Sequence, residues 1–289
     1  MRKIKCFEIS AFTKNNKGGN LAGVVLFEET LTADQMQHIA SILGFSETAF
    51  VLPSSEDEFR VRFFTPKGEV DLCGHATIAA FYCLQQKGFV VRDRYKLETK
   101  AGKLEVRVEE STIFLQQKLP TFCQEVVKED VANALSIPLA SLGDLPTEVV
   151  STGLPDIIVP IKNLTTLLRL EPDFEQVKAI SKKYDTIGIH AFCQETLNPQ
   201  STAHCRNFAP LYGIPEESAT GTANAALLSY LHKHKKLKKS DTSFVIEQGY
   251  CMNKPSEITV TLQELNGHIH TVYVGGSAFS VGEKAVMIN

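Results

Sequence analysis

Two stretches of the chain combine a strand end, a turn and a run of almost purely apolar residues. In the first, from Phe64 to Gly88, nearly every position after His75 is apolar, which is typical of a helix buried on all sides. Gly88 can adopt the left-handed conformation that ends many helices. The second stretch, from Phe208 to Leu231, has the same order of features. The pattern therefore predicts two buried helices, each preceded by a strand and a turn.

The two stretches match each other at a nearly constant spacing. Phe64-Thr65-Pro66 corresponds to Phe208-Ala209-Pro210 at an offset of 144 (208 − 64). Gly74-His75-Ala76 corresponds to Gly221-Thr222-Ala223 at an offset of 147 (221 − 74). Both offsets are close to half of the 289 residues, which indicates an internal repeat. A chance match of small residues is the alternative.

The repeat predicts an α+β protein with two related lobes. The N-terminal lobe is expected to span residues 1–118, with strands wrapped around its buried helix and an amphipathic helix, Thr32–Leu43, outside. The C-terminal lobe is expected to span residues 119–276, and a last strand within residues 277–289 is expected to return to the first lobe.

Alternating apolar positions and turn residues predict the remaining elements. The strands are Lys3–Thr13, Val24–Phe27, Glu58–Phe64, Tyr95–Thr99, Gly102–Val108, Thr112–Gln117, Glu148–Ser151, Asp156–Ile161, Ile187–Phe192, Ser201–Phe208, Phe244–Gln248, Glu257–Leu262, Ile269–Val274 and Ala278–Val281. Two further helices are Lys128–Leu135 and Asp173–Tyr184.

Composition and charge argue against several classes of protein. Hydrophobic residues make up 43% and charged residues 22% of the sequence, as in ordinary globular domains. A net charge of −3 gives no basis for nucleic-acid binding, and no apolar run is long enough to span a membrane. The N-terminus lacks the apolar core of a signal peptide, and the seven cysteines form no C-x-x-C pair. We therefore expect a cytoplasmic protein with reduced thiols, without a metal site and without a nucleotide-binding motif.

The start of the first buried helix is a candidate binding site. Cys73, Gly74 and His75 would form its first turn, where unpaired N–H groups and the helix dipole favour a carboxylate or another anion. Gly74 is expected to permit a sharp turn into the helix. Cys73 at this position is either a reactive thiol or a small buried apolar residue.

Glu47 is the candidate acid–base residue. It lies in a short segment beside Phe45, Ala49 and Phe50. Because apolar surroundings disfavour the charged form of a carboxyl group, such a residue can exchange a proton near neutral pH. The alternative is a glutamate at a strand edge that faces water.

At these residues the chain resembles the PhzF-like isomerases of phenazine biosynthesis, which are related in fold to diaminopimelate epimerase. The matching motifs are Ala11-Phe12-Thr13, Gly19-Asn20, Ser46-Glu47-Thr48-Ala49-Phe50, Phe64-Thr65-Pro66, Cys73-Gly74-His75-Ala76-Thr77, Phe208-Ala209-Pro210, Ala219-Thr220-Gly221, Gln248-Gly249 and Gly275-Gly276. They follow one another in order over nearly the whole chain.

The resemblance implies a fold and an activity. Each of the two pseudo-symmetric lobes would be a β-barrel-like sheet around a central helix, with the site in the cleft. The protein would be a homodimeric enzyme that needs no cofactor or metal, and its substrate would be small and carboxylate-bearing. The resemblance assigns catalytic roles to Glu47, His75, Glu217 and Thr222. It assigns substrate binding to Asn20, Cys73, Gly74, Ser218 and Gly221.

The chain departs from the family pattern at three places. Glu217-Ser218 replaces the usual Asp-Pro, Thr222 replaces a serine, and Leu21 replaces a proline. These changes keep the chemistry possible and are expected to reshape the pocket, so they weaken an assignment of the phenazine precursor as substrate. Epimerases of the related fold use one cysteine from each lobe; Cys73 matches the first, and the second position is expected at Ser218, which has no thiol.

The function expected from the sequence is that of a cofactor-independent isomerase. Glu47 would move a proton between carbons of its substrate and so shift a double bond. One alternative is a one-base racemase or epimerase that acts on an amino or hydroxy acid. Another is a non-catalytic protein that binds small acids.

Overall fold

A computed structural model of the protein describes residues 1–28, 30–55, 57–238 and 241–288. The chain divides into two compact units. Unit 1 consists of Met1–Gln116 together with Gly275–Asn289, and unit 2 consists of Gln117–Val274. Within the described ranges, every helix is too short or too polar to cross a membrane.

Both units consist of strands with a few helices between them. The strands are β1 (Arg2–Ala11), β2 (Asn20–Leu26), β3 (Glu47–Leu52), β4 (Phe59–Phe64), β5 (Glu69–Val70), β6 (Arg94–Thr99), β7 (Gly102–Glu109), β8 (Thr112–Gln116), β9 (Thr121–Glu125), β10 (Glu148–Ser151), β11 (Pro155–Pro160), β12 (Ile189–Cys193), β13 (Ala203–Ala209), β14 (Ile214–Glu217), β15 (Ser243–Gln248), β16 (Ser256–Leu265), β17 (His268–Gly276) and β18 (Ala278–Ile288). The α-helices are α1 (Ala33–Leu43), α2 (Gly74–Gln86), α3 (Lys128–Ala134), α4 (Leu164–Leu168), α5 (Phe174–Tyr184) and α6 (Gly221–Lys233).

Unit 1 is a sheet built around the buried helix α2. Its hydrogen-bonded strands run in the order β18, β1, β2, β3, β4, β6, β7 and β8, with β5 also paired to β4. Helix α2 contacts strands near both ends of this order, including β18 and β8, so the sheet curves around it. Gly88 lies just beyond α2 with φ 76°, and its N–H donates to the Gln85 carbonyl, as expected of a residue that ends a helix.

Helix α1 covers the other face of the sheet in unit 1. The Thr32 hydroxyl accepts from the Gln35 N–H, and the Gln35 side chain accepts from the Thr32 N–H, so a capping box starts the helix. Its apolar stripe is buried among residues of β1, β3 and β18. This confirms the predicted amphipathic helix and its buried positions, which are Met36, Ile39, Ala40 and Leu43.

Unit 2 repeats the strand pairing of unit 1. Strands β11 and β12 are parallel like β2 and β3, and β12 pairs antiparallel with β13 as β3 does with β4. Strand β13 then pairs with both β14 and β15, as β4 pairs with β5 and β6. Helices α5 and α6 occupy the places of α1 and α2 in this order. The predicted α+β repeat is therefore confirmed.

The two faces of the sheet in unit 2 differ in polarity. Ile157 and Ile189 point into an apolar core that includes residues of α3 and α5. The residues next to them point the other way because side chains alternate along a strand. That second face carries Asp156, His190 and Asn207, and His190 contacts Asn224 of α6. Three buried polar side chains therefore lie on the face under α6.

Candidate active site

Five residues of unit 1 converge at the start of α2, and we call them the α2 cluster. They are Asn20, Ser46, Glu47, Cys73 and His75. Phe50 of β3 packs with the α1 side of the sheet. Glu47 lies three residues earlier, so it points to the opposite face, where α2 begins.

His75 is the centre of the α2 cluster. Its Nε2 lies 3.2 Å from Ser46 Oγ and 3.3 Å from Glu47 Oε2. Its Nδ1 lies 3.4 Å from Asn20 Nδ2 and 3.3 Å from Cys73 Sγ. Since an amide nitrogen can only donate, this arrangement places the ring proton on Nε2, which faces Glu47 and Ser46.

His75 and Glu47 have different electrostatic surroundings. The His75 side chain is 5% exposed, and burial lowers its pKa while the nearby Glu47 charge opposes that effect. His75 is therefore neutral at pH 7 and serves as a hydrogen-bonding group. The Glu47 side chain is 17% exposed, and its Oε2 has no hydrogen-bond partner among the described residues. This oxygen is available to accept a proton.

The first turn of α2 can receive an anion. Cys73 is the N-cap residue and makes no side-chain capping bond, and the first turn contains no acidic residue. The leading N–H groups therefore keep their capacity to bind a carboxylate.

The role expected of Gly74 in a sharp turn is wrong. Gly74 does not have a positive φ, so its backbone conformation is open to other residues. A Cβ at Gly74 would meet no protein atom within 4 Å. The absence of a side chain instead leaves the N-terminus of α2 accessible to a ligand.

The start of α6 carries the corresponding group in unit 2, which we call the α6 cluster. It consists of Glu217, Thr220, Asn224 and Gln248. The Thr220 hydroxyl donates to Glu217 Oε2 at 2.7 Å, and Gln248 Nε2 donates to the Glu217 carbonyl at 2.8 Å. Asn224 Nδ2 donates to Gln248 Oε1 at 2.7 Å. Hydrogen bonds thus hold both the side chain and the backbone carbonyl of Glu217 in place.

The remaining residues predicted for the site lie around the α6 cluster. Ser218 is buried next to Glu217, whereas Gly221 and Thr222 form the half-exposed first turn of α6. The Thr222 carbonyl accepts from the Thr152 hydroxyl at 3.0 Å. The predicted residues therefore fall into two groups, one in each unit.

The expectation that Ser218 matches Cys73 is wrong. Cys73 is the N-cap of α2, and the N-cap of α6 is Thr220. The sequence already contained this signal, because the offset of 147 that aligns Gly74 with Gly221 also aligns Cys73 with Thr220 (73 + 147). The position still has no thiol, so the argument against a two-thiol racemase is unchanged.

Glu47 has no counterpart in unit 2. Thr48 pairs with Phe64, and Ile189 pairs with Phe208, so the residue that matches Glu47 is Gly188. A Cβ at Gly188 would lie 1.9 Å from the Phe208 carbonyl oxygen, so no side chain fits there. The two units thus share the same strand framework, but only unit 1 has a carboxylate at this position.

Sequence reasoning missed several polar residues of these groups. Ser46 and Thr220 lie inside motifs that were recognised, but neither was given a role. Asp156 and Asn224 are buried polar residues in segments that otherwise read as an apolar strand and an apolar helix. The sequence could have indicated Asp156, because its carboxylate comes directly after the turn residues Gly153-Leu154-Pro155.

Three members of the α2 cluster could also hold a metal ion. One ligand atom each from Glu47, Cys73 and His75 lie within 4.8 Å of one another. Thiolate, imidazole and carboxylate together form a ligand set that suits Zn²⁺. The same three groups therefore offer either a proton-transfer site or a metal-binding site.

The sequence of this chain matches a known protein family. A family model described as phenazine biosynthesis-like protein (PhzC-PhzF) matches residues 9–284. The uncharacterized isomerase YfhB of Bacillus subtilis (strain 168) is 34% identical over 288 residues, which is 97% of this chain and 98% of that protein. An uncharacterized isomerase of Deinococcus radiodurans is 36% identical, covering 94% of this chain and 91% of that protein.

Solved structures give the same result. A PhzF-family phenazine biosynthesis protein of Bacillus anthracis superposes with a TM-score of 0.91 at 33% identity, with both chains covered in full. A hydroxyproline epimerase of Agrobacterium vitis, covering 99% of this chain and 91% of its own, shares the fold at a TM-score of 0.65 and 16% identity.

The family model and the relatives cover nearly the whole chain, and they confirm the resemblance inferred from the motifs. The curated relatives named above are isomerases. The chain therefore belongs to the phenazine biosynthesis-like (PhzC-PhzF) family and is an enzyme, a PhzF-like isomerase.

Proposed function

We propose that this enzyme moves a proton between two carbons of a small carboxylate-bearing metabolite, with Glu47 as the general acid and base and without a cofactor. The observation that carries the proposal is Glu47 Oε2, a buried oxygen without a hydrogen-bond partner among the described residues, 3.3 Å from His75 Nε2. A general base must keep the capacity to accept a proton, and Oε2 keeps it because the His75 Nε2–H that faces it does not form a hydrogen bond with it and a carboxylate oxygen has two lone pairs.

The proposed reaction is balanced in atoms and electrons. The Glu47 carboxylate takes a proton from a C–H bond beside an electron-withdrawing group. The electron pair of that bond enters the adjacent π system, and the double bond shifts by one position. The carboxylic acid then returns the proton to the second carbon, and the Glu47 carboxylate is regenerated.

His75 supports the reaction as a neutral group. Both of its ring nitrogens already face polar groups of the α2 cluster, and its lowered pKa keeps it uncharged. A neutral imidazole can orient Glu47 and the substrate without fixing the carboxylate in a strong ion pair. Glu47 is therefore the better assignment for the group that carries the moving proton.

The N-terminus of α2 is proposed to bind the carboxylate of the substrate. Its leading N–H groups lie beside Glu47, and the lack of a side chain at Gly74 allows close approach to the backbone. The same N–H groups would stabilise negative charge that develops on the substrate as the proton leaves. Asn20 and Cys73 are proposed to contact the substrate beside them.

Unit 2 is proposed to contribute Glu217 and Thr222 to catalysis and Ser218 and Gly221 to substrate binding. The Glu217 carboxyl is fixed by the Thr220 hydroxyl, as expected of a residue that must present one oxygen in a defined direction. Thr222 supplies a hydroxyl in the first turn of α6.

A one-base epimerase is the second candidate. It is favoured by the presence of a single carboxylate at the repeated position, since Gly188 replaces Glu47 in unit 2. In that reaction Glu47 would return the proton to the same carbon but to its opposite face, so the planar intermediate would have to turn between the two proton transfers.

The test is a solvent-exchange screen. The enzyme is incubated in heavy water with a panel of small unsaturated, amino and hydroxy acids, and each compound is analysed by mass spectrometry. We expect deuterium in at least one compound with the wild type and none with Glu47→Gln. The control variant Glu175→Gln makes the same chemical change on the exposed surface of α5 and should exchange normally. Equal exchange by Glu47→Gln would overturn the assignment.

Isomerisation and epimerisation are separated by the product. A shifted double bond in the labelled compound supports the isomerase, whereas an unchanged skeleton with inverted configuration supports the one-base epimerase. Binding without exchange across the panel would indicate a protein that only holds small acids.

A further inference from the structure

Asp156 of unit 2 is a buried carboxyl group that the reaction described above does not use. Its side chain lies at the start of β11 and is 1% exposed. Its Oδ1 has no hydrogen-bond partner among the described residues. A buried carboxyl group with an unsatisfied oxygen is costly to maintain, and such groups cluster at functional sites.

The register of four neighbouring strands places Asp156 and Glu217 on the same face of the sheet. Ile158 pairs with His190, His190 pairs with Asn207, and Asn207 pairs with Glu217. Directly paired residues share a face of the sheet, and Asp156 shares that face because it is two residues from Ile158. The face is the one covered by α6.

A hydrogen-bonded network holds Asp156 on this face. The Asn207 side chain is a hydrogen-bond partner of the Asp156 carboxyl group. Asn207 Nδ2 also donates to His190 Nδ1 at 3.2 Å, and His190 Nε2 donates to Asn224 Oδ1 at 3.2 Å. Asn224 belongs to the α6 cluster, which also fixes Glu217. The network therefore links the two carboxyl groups through neutral side chains.

The charges around Asp156 come from a few groups. Glu217 on β14 acts on it directly, and burial together with this charge raises the pKa of Asp156 to about 8. His190 on β12 stays neutral, since burial lowers its pKa to about 4.

The other elements packed against Asp156 add no net charge. The partner of Asp156 on β10 is Val150, and the carboxylate of Glu148, farther along β10, is ion-paired with Lys233. Helix α6 has no ionisable side chain between Gly221 and Ser229. Among the described residues, no cation therefore acts on Asp156, and Glu217 is the charge that raises its pKa.

We propose that Asp156 and Glu217 act as one acid pair that carries a single negative charge at neutral pH, with Asp156 as a positioning residue that keeps its proton. The role of the pair in turnover rests on the proposed function, in which Glu217 acts on the substrate. While Asp156 is neutral, Glu217 carries the charge of the pair and faces the substrate, oriented by the Thr220 hydroxyl. Loss of the Asp156 proton adds a second negative charge behind Glu217 and opposes the binding of a carboxylate-bearing substrate.

The protonation state of Asp156 can be tested without a substrate. Protein with ¹³C-labelled aspartate carboxyl groups is titrated by NMR, and the Asp156 signal is assigned by its loss in Asp156→Asn. We expect this signal to titrate near pH 8. A midpoint below pH 7 would overturn the proposal, because Asp156 would then be ionised at neutral pH. Glu217→Gln should shift the midpoint downward because it removes the neighbouring charge. This second variant also identifies the signal if Asp156→Asn does not fold.

The role in turnover is tested by the pH profile of the exchange reaction. With a compound that exchanges, wild-type kcat/KM should fall about tenfold per pH unit above pH 8. Asp156→Asn should keep its activity over that interval, because an amide cannot ionise. The exposed control Asp185→Asn should retain the wild-type fall. Persistence of the fall in Asp156→Asn would overturn the role of the pair.

The NMR titration and the exchange assay can fail independently of each other. If no compound exchanges, the isomerase proposal fails while the NMR titration still decides whether Asp156 holds its proton. If exchange occurs and the Asp156 signal titrates below pH 7, the acid pair fails while the isomerase proposal stands.

Discussion

Replacing Asp156 by asparagine should stabilise the protein, and the gain should grow with pH. The substitution preserves the size of the side chain and keeps an oxygen that can accept from Asn207. It removes the carboxyl group and leaves an amide, which does not ionise. The perturbation therefore isolates the free energy of holding a proton on a buried carboxyl group.

The magnitude follows from the difference in pKa between the folded and unfolded states. The pKa rises from 3.8 to about 8 on folding. Below pH 3.8 both states are protonated, so the group has no effect on stability. Between pH 3.8 and pH 8 only the unfolded state loses its proton, and stability falls by about 1.4 kcal/mol per pH unit. At pH 7 the accumulated loss is on the order of 4 kcal/mol, and Asp156→Asn avoids it.

The assay is urea-induced unfolding of both proteins at pH 5, 6, 7 and 8. The difference in unfolding free energy between variant and wild type should rise with pH over this range. Other titrating groups are present in both proteins, so their effects cancel in the difference. Asp185→Asn, on the exposed end of α5, should show no such trend. A pH-independent difference for Asp156→Asn would refute the reasoning, because it would mean that Asp156 titrates alike in both states.

Three other outcomes are expected. Zn²⁺ should inhibit exchange by binding to the α2 cluster, and a chelator should reverse the inhibition. Cys73→Ser should weaken the inhibition because it removes one of the three ligands, whereas the exposed control Cys123→Ser should not. His190 has a pKa lowered to about 4, so the unfolded state alone gains its proton between pH 6.5 and pH 4. In urea unfolding, the stability of the wild type relative to His190→Gln should therefore fall by roughly 3 kcal/mol over this interval, because the opposite effect of Asp156 is present in both proteins and cancels in the difference. Gly74→Ala should fold normally and lose ligand affinity in calorimetry, whereas Gly188→Ala should be destabilised by several kcal/mol in the same urea assay, because its Cβ would meet a carbonyl oxygen.

The framework of the fold could be predicted from the sequence because it depends on local patterns. Thr32 and Gly44 bound α1, and four apolar positions at helical spacing define its buried face. The match between Gly74 and Gly221 identified the repeat, since a glycine in the first turn and an apolar run after it are visible without any long-range information. Most predicted strand ends lie within three residues of the observed ones. The exceptions are the start of β2, which lies at Asn20 instead of Val24, and the end of β18, which lies at Ile288 instead of Val281.

The short elements of the framework were not predicted. Strand β5 has two residues and β14 has four, and both lack a run long enough to show alternation. Strand β9, at Thr121–Glu125, alternates weakly because most of its residues are exposed. These segments become strands through pairing with a neighbour rather than through their own pattern.

The α2 cluster could be identified from motifs, whereas the polar network of unit 2 could not. Glu47 and His75 are 28 residues apart (75 − 47), and the family motifs name both of them. Asp156, His190 and Asn224 come from three separate elements, and each alone reads as one polar residue in an apolar segment. Only the register of β11, β12 and β13 under α6 brings them to one face.

The most direct test of the central claim follows the proton itself. A compound identified in the exchange screen is prepared with deuterium at the carbon that loses its proton, and it is converted in ordinary water. We predict that a measurable fraction of the product carries deuterium at the receiving carbon, because Glu47 takes and returns the same hydron, and that Glu47→Gln forms no product while still binding the compound. Product formation by Glu47→Gln at the wild-type rate would contradict the account.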